Sequence, residues 1–198
     1  IVGAGDNACV LHYRANNAQA KDGALVLIDA GAEYRGYAAD ITRTFPVNGR
    51  FSKEQRALHD LVGDAQRAAQ AQAQPGVPYE AGHRAAVETL TEGLLKLGLL
   101  KGGLEKNVAE GTYKRFYRHK TGHWLGLDVH DVGEYRSDGD SRLLEPGMVF
   151  TIEPGLYVSV DDRTVHEKWR GIGIRTEDDI LVTKDGHKVL TDKLARSA

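Results

Sequence analysis

The sequence predicts an α+β domain, and three observations carry that reading. Apolar strand-like runs occupy residues 25–31 and 148–153. Two long helical segments stand between them. A faint echo also relates the ends: LVLIDAG followed by Asp40-Ile41 is similar to VFTIEPG followed by Glu177 and Ile180. Strands grouped apart from helices point to α+β architecture, not alternating βαβ units. The echo suggests a duplicated half-domain with a site at the junction.

Residues 25–31 form a solid apolar run, as in a strand covered on both faces. Residues 37–45 are the second strand candidate, joined through Glu33-Tyr34-Arg35-Gly36. A turn centred between Tyr34 and Arg35 sets Asp29 directly opposite Asp40, with Cβ atoms about 5 Å apart. Carboxylates at that spacing repel by about 3–4 kcal/mol at an effective dielectric of about 20. A divalent cation between them removes the conflict, and a bulge near Gly31 would spoil the register.

Ser52-Lys53-Glu54-Gln55 is a capping-box opening, and its helix runs to about Ala73, where Pro75-Gly76 ends it. A second helix begins near Pro78 and stops at Gly98. Residues 99–112 are compatible with a short helix. His119 and His123 are four apart, but Gly122 interrupts them and no His-Glu-x-x-His is present. A loop leading into a strand at LGLDVH, residues 125–130, fits better. Glu145-Pro146-Gly147 reads as a turn. Strands are predicted at Met148–Glu153 and Ile172–Thr183, with a polar loop over 159–170. Alternation in Ile172–Thr183 puts Ile172, Ile174 and Thr176 on one face and Arg175, Glu177 and Asp179 on the other.

The 198 residues suit one compact domain, spanning 1–198. Hydrophobic content of 41% and charged content of 27% are those of a globular protein. The net charge of −2 offers no basic field for nucleic acid or an anionic membrane. Cys9 is the single cysteine, which excludes an internal disulfide and a cysteine zinc site. No apolar run is long enough to span a bilayer. A cytoplasmic setting is expected. The chain opens Ile1-Val2-Gly3 and reads as a fragment or processed product.

Asp29, Asp40, His123, Glu153 and Glu177 all lie in apolar or glycine-flanked surroundings. Buried carboxylates need partners, and four together need cations. Carboxylates with one imidazole make a hard-ligand site that favours manganese or magnesium. Each residue alone has a plainer reading. Asp29 could bond backbone amides at a strand end, and Asp40 could pair with Arg43 in solvent. His130 could bond Asp131 in a turn, Arg175 could form a surface ion pair, and His12 could be a satisfied core histidine. His59, His83, His166 and His187 read as surface residues. Five such ligand positions in one domain weigh the set toward two divalent metals.

These residues sit in IDAGAEYRGYAADITRTFPVNG, GHWLGLDVHDVG, LEPGMVFTIEPGLY and RGIGIRTEDD. In that order the stretches resemble the catalytic domain of the Xaa-Pro aminopeptidases (aminopeptidase P), pita-bread metallopeptidases, over nearly the whole chain. Prolidases share the ligands and a similar His-rich segment. Methionine aminopeptidases share the ligands without the long GHWLGLDVHDVG form. The resemblance implies a curved, mainly antiparallel sheet with helices on one side and two pseudo-symmetric halves. It implies two divalent ions, most simply Mn2+, held by Asp29, Asp40, His123, Glu153 and Glu177. It implies catalytic roles for Glu153, His119, His130, His12 and Arg175. Substrate contacts would come from His119, His130, Tyr157 and Arg175.

The implied reaction is hydrolysis of the bond before proline in second position of a peptide. The alternatives are a prolidase acting on Xaa-Pro dipeptides, or a pita-bread module that binds peptides or proteins without catalysis. No nucleic-acid or membrane partner is implied, and the full-length protein would be a homo-oligomer. The family's N-terminal domain and the start of its catalytic domain have no counterpart here. The fragment itself is therefore expected to fold but to be open to loss of activity.

Overall fold

A computed structural model describes residues 1–195. Its strands in chain order are β1 (Val2–Ala4), β2 (Leu25–Asp29), β3 (Glu33–Tyr34), β4 (Tyr37–Ala38) and β5 (Thr42–Pro46). Helices α1 (Lys53–Gln70), α2 (Glu80–Lys96) and α3 (Leu104–Glu110) follow. The chain then returns to strands: β6 (Arg136–Ser137), β7 (Asp140–Ser141), β8 (Val149–Ile152), β9 (Gly155–Val158), β10 (Ile172–Arg175), β11 (Asp178–Thr183) and β12 (Gly186–Val189). The sheets run β1-β2-β5, β12-β11-β8 and β10-β9, and every pairing is antiparallel. The fold is α+β of the pita-bread type. One half is built on β2 and β5 and the other on β8 and β11, and each leading strand runs into an acid, Asp29 or Glu153.

Helix α1 begins as expected. Ser52 Oγ accepts from Gln55 N at 3.1 Å, and Gln55 Oε1 accepts from Ser52 N at 2.9 Å. Leu58, Leu61, Val62, Ala65 and Ala69 form its buried stripe. Buried Ala86, Val87, Leu90 and Leu94 form that of α2. Burying each leucine contributes about 1.5–3 kcal/mol. The two helices pack so closely that a Cβ on Gly93 would lie 2.2 Å from Leu61 Cδ1. Helix α1 also packs on β8, β9 and β10, so the helices cover one side of the strands.

The structure corrects three expectations. Arg35 and Gly36 both have positive φ, +54° and +86°, and form the centre of the β3–β4 turn. Two left-handed residues suit the twist of a two-residue hairpin. Tyr34 therefore faces Tyr37, and Asp29 faces Thr42 and not Asp40. The strands also close up at Gly31, where a Cβ would sit 1.6 Å from Ala39 O. Second, Ile172–Thr183 is two strands. Pro154, lacking an N–H, interrupts the facing chain between β8 and β9. Glu177 N then turns to Thr42 O at 3.0 Å, bridging to the other half.

Third, no strand forms at 125–130. Trp124 bridges Phe150, then the chain folds back, with Asp131 N donating to Trp124 O at 3.0 Å. Gly126 allows this return, since a Cβ there would meet Asp131 Oδ2 at 2.0 Å. Leu127 and Val129 are left exposed.

Candidate metal centre

The seam between the halves carries the site. Asp29 ends β2, Asp40 precedes β5, Glu153 follows β8, and Glu177 lies between β10 and β11. His123 comes from a segment stitched along β8. Thr151 N donates to His123 O at 2.9 Å, and Glu153 N donates to Thr121 O at 2.7 Å. This stitching needs Gly122, where a Cβ would stand 1.9 Å from Thr151 O.

Ligating atoms of Asp40, His123 and Glu177 lie within 4.8 Å of one another. His123 Nε2 is 3.5 Å from Asp40 Oδ2 and 3.7 Å from Glu153 Oε1. Its Nδ1 donates to Trp124 O at 3.0 Å, which leaves the Nε2 lone pair free toward the acids. Asp29 joins through an ion pair with Arg175, on the same cavity wall as Asp40. Glu177 is 1% exposed and Asp40 8%, so both acids are largely buried. The donor set of buried carboxylates and one oriented imidazole fits a hard divalent cation.

The electrostatics say the same. Burial raises Glu153 to about 7, although His123 and Arg175 oppose this. Burial, then repulsion from Glu153 and Asp40, pushes Glu177 well above the carboxylate range. Burial raises Asp29 too, with Arg175 pulling it down and Asp40 pushing it up. Burial lowers His123, but its bonds to Asp40 and Trp124 outweigh that and raise it. Without cations, Asp29, Glu153 and Glu177 are thus held toward their protonated forms.

Around them, Arg175 ties three groups together. It is 3% exposed, which removes the surface ion-pair reading. It pairs with Asp29, and it donates from Nη1 to Tyr157 OH at 3.1 Å and from Nε to Thr42 Oγ1 at 3.2 Å. Thr42 Oγ1 in turn donates to Glu177 Oε2 at 2.6 Å. His119 Nδ1 donates to Lys120 O at 2.8 Å, so its Nε2 accepts from Tyr157 OH at 2.9 Å. Burial holds the His119 imidazole at about 4, neutral near pH 7.

All five expected ligands, with His12, His119, His130 and Arg175, line one cavity of about 620 Å³. His12 is exposed on this wall and not a core histidine. His130 is also exposed and stands edge-on to His123, ring centroids 4.3 Å apart. Asp131 accepts from the Val132 amide at 3.0 Å. Tyr157 does not reach the cavity wall; it is fully buried behind His119. Arg43 pairs with Asp178 at 2.7 Å, not with Asp40.

Sequence reasoning missed Thr42, Asp179, Thr121 and His83. Asp179 accepts the Asp40 amide at 3.3 Å from both oxygens and is raised by burial to about 7. Thr121 Oγ1 is 2.6 Å from Tyr117 OH and 2.8 Å from His83 Nδ1. His83 had a signal: spaced with Val87, Leu90 and Leu94, it belongs to the inner stripe of α2.

A donor set able to hold a divalent metal is what this fold builds, and the chain belongs to metallopeptidase family M24, whose model matches residues 1–184. Its relatives include the Xaa-Pro aminopeptidase of Escherichia coli, 50% identical over 99% of this chain and 44% of that protein. Human Xaa-Pro aminopeptidase 3 is 41% identical over 96% of this chain and 37% of that protein. Among solved structures, Pseudomonas aeruginosa aminopeptidase PepP superposes with a TM-score of 0.99 at 55% identity, over 100% of this chain and 45% of that one. The chain therefore spans less than half the length of these relatives. No helix among the described residues is long and apolar enough to cross a membrane.

Proposed function

We propose that this chain forms the metal-binding catalytic part of an enzyme that hydrolyses the bond before proline at the second position of peptides. The supporting observation is the seam that gathers Asp40, His123 and Glu177, with half-buried Asp29 and Glu153 on the same cavity wall, in a chain 50% identical to an Xaa-Pro aminopeptidase. Asp29, Asp40, His123, Glu153 and Glu177 would hold two divalent ions, manganese by preference. Bound there, the ions supply Lewis acidity and activate water at neutral pH.

The chain's own groups do the rest. Glu153, facing the site beside His123, can take a proton from water and return it to the proline nitrogen, which must gain one to leave. Arg175 holds Asp29 and, through Thr42, orients Glu177. His119, neutral and pinned by Tyr157, faces the Glu153 carboxylate at 3.7 Å and orients the scissile bond. His130, with His12 farther along the wall, steadies the developing oxyanion, a kind of contact worth about 3–4 kcal/mol per donor.

The reading includes a cytoplasmic, homo-oligomeric protein. The test is hydrolysis of Xaa-Pro dipeptides and longer Xaa-Pro peptides by the full-length protein with manganese. Matched Xaa-Ala peptides serve as controls. Cleavage before proline and not before alanine is expected. Equal cleavage of both, or of neither by metal-loaded protein, overturns the proposal.

A further inference from the structure

The same cavity is also lined by Glu80 and His83 of α2 and by Lys120 and Arg136. Of these two cations, Arg136 is already neutralised, with Nη2 2.7 Å from Glu80 Oε1. Lys120 is exposed and has no carboxylate within ion-pair reach among the described residues. Its charge is felt inside: after burial, Lys120 is the leading cause that lowers the His83 imidazole to about 4. Lys114 adds to this from nearby, and Glu80 opposes it.

The Lys120 backbone is fixed beside the chemistry, since its carbonyl accepts from His119 Nδ1 at 2.8 Å. The cavity wall thus carries, besides its carboxylates, an ammonium that no carboxylate pairs among the described residues. A cation lacking a counter-charge on a cavity wall favours an anionic ligand group. An extended dipeptide or tripeptide spans only about 7–11 Å. If its first residue lies at the acids, the anion it carries toward Lys120 is its terminal carboxylate.

We propose that Lys120 is a specificity determinant that recognises the free C-terminal carboxylate of short peptides with proline in second position. This rests on the peptidase reading above. The metal-loaded full-length enzyme is tested on Ala-Pro and Ala-Pro-Gly, each as free acid and as C-terminal amide. The wild type prefers at least one acid over its amide by about 3- to 10-fold in kcat/KM, the range of a partly exposed ion pair. Added salt shrinks the preference. Lys120→Ala brings the acid-to-amide ratio near one, Lys120→Arg restores it, and Lys120→Glu inverts it. A loss confined to this ratio separates recognition from a structural effect, which lowers acid and amide alike. A ratio near one in the wild type, or unchanged in Lys120→Ala, overturns the inference and leaves the peptidase reading standing. Cleavage of neither acid nor amide overturns both.

Discussion

Thr42→Val tests the electrostatic argument at its narrowest point. The change keeps volume and β-branching, so β5 keeps its propensity and its register against β2. Only the hydroxyl is lost. It is wholly buried, donates to Glu177 Oε2 at 2.6 Å and accepts from Arg175 Nε at 3.2 Å. Each hydrogen bond involves a charged or chargeable group, worth about 1.5–3 kcal/mol. Arg175 keeps Tyr157 and Asp29, so its loss falls at the low end. A destabilisation of roughly 3 kcal/mol follows for the metal-free protein. In a chain of this size that lowers Tm by about 6–12 °C. Urea unfolding with EDTA present should show a lower midpoint and an unchanged slope. With Glu177 no longer held, metal affinity should also fall by about 10- to 100-fold. Thr42→Ser, which keeps the hydroxyl, should retain that affinity. A Thr42→Val midpoint within error of wild type, with metal affinity intact, would refute the idea that this hydroxyl joins Arg175 to Glu177.

Gly122→Ala drives a methyl into Thr151 O, 1.9 Å from the ideal Cβ, so it should cost about 2–3 kcal/mol and weaken metal binding. Gly103→Ala, with open space around it, should cost a few tenths in the same urea assay. In metal-free protein the Glu153 carboxyl titrates at about 7 when folded and 4.5 when unfolded, so the folded state binds the extra proton between these values. Its stability contribution is fully present below about pH 4.5 and is lost as pH rises through 7. Glu153→Gln should therefore match wild type in Tm near pH 4.5 and exceed it above pH 7 in EDTA. Saturating manganese, at about 100 times its Kd, should stabilise the wild type by about 2.7 kcal/mol, or about 5–11 °C. Asp40→Asn should lose that shift together with activity, and calorimetric scans would expose an Asp40→Asn protein that keeps both.

The elements that carry the site were legible because their chemistry clashes with their surroundings. Asp29 and Glu153 stand at the ends of apolar runs, where an acid has few structural excuses, and Glu177 lies in a segment that is otherwise buried. The capping box at Ser52 and the stop at Gly98 are local chemistry, read directly from neighbouring residues. The β2–β5 register was not legible. It depends on which residue accepts a left-handed φ, and Arg35 carries no mark of doing so. The break after Arg175 was hidden for a different reason. It is set by Pro154 on the facing chain, which one-strand periodicity does not see. Thr42 and Thr121 are ordinary strand and loop residues by sequence; only the partners brought to them across the fold give them weight.

The contact from the Glu177 amide to the Thr42 carbonyl has a consequence for how the chain matures. Neither half alone offers more than a fraction of the chelating groups, and the two fractions are separated by the whole helical layer in sequence. The complete donor set therefore comes together only once the most distant parts of the polypeptide have met. A cation held by all five groups would fasten the two halves to one another from within.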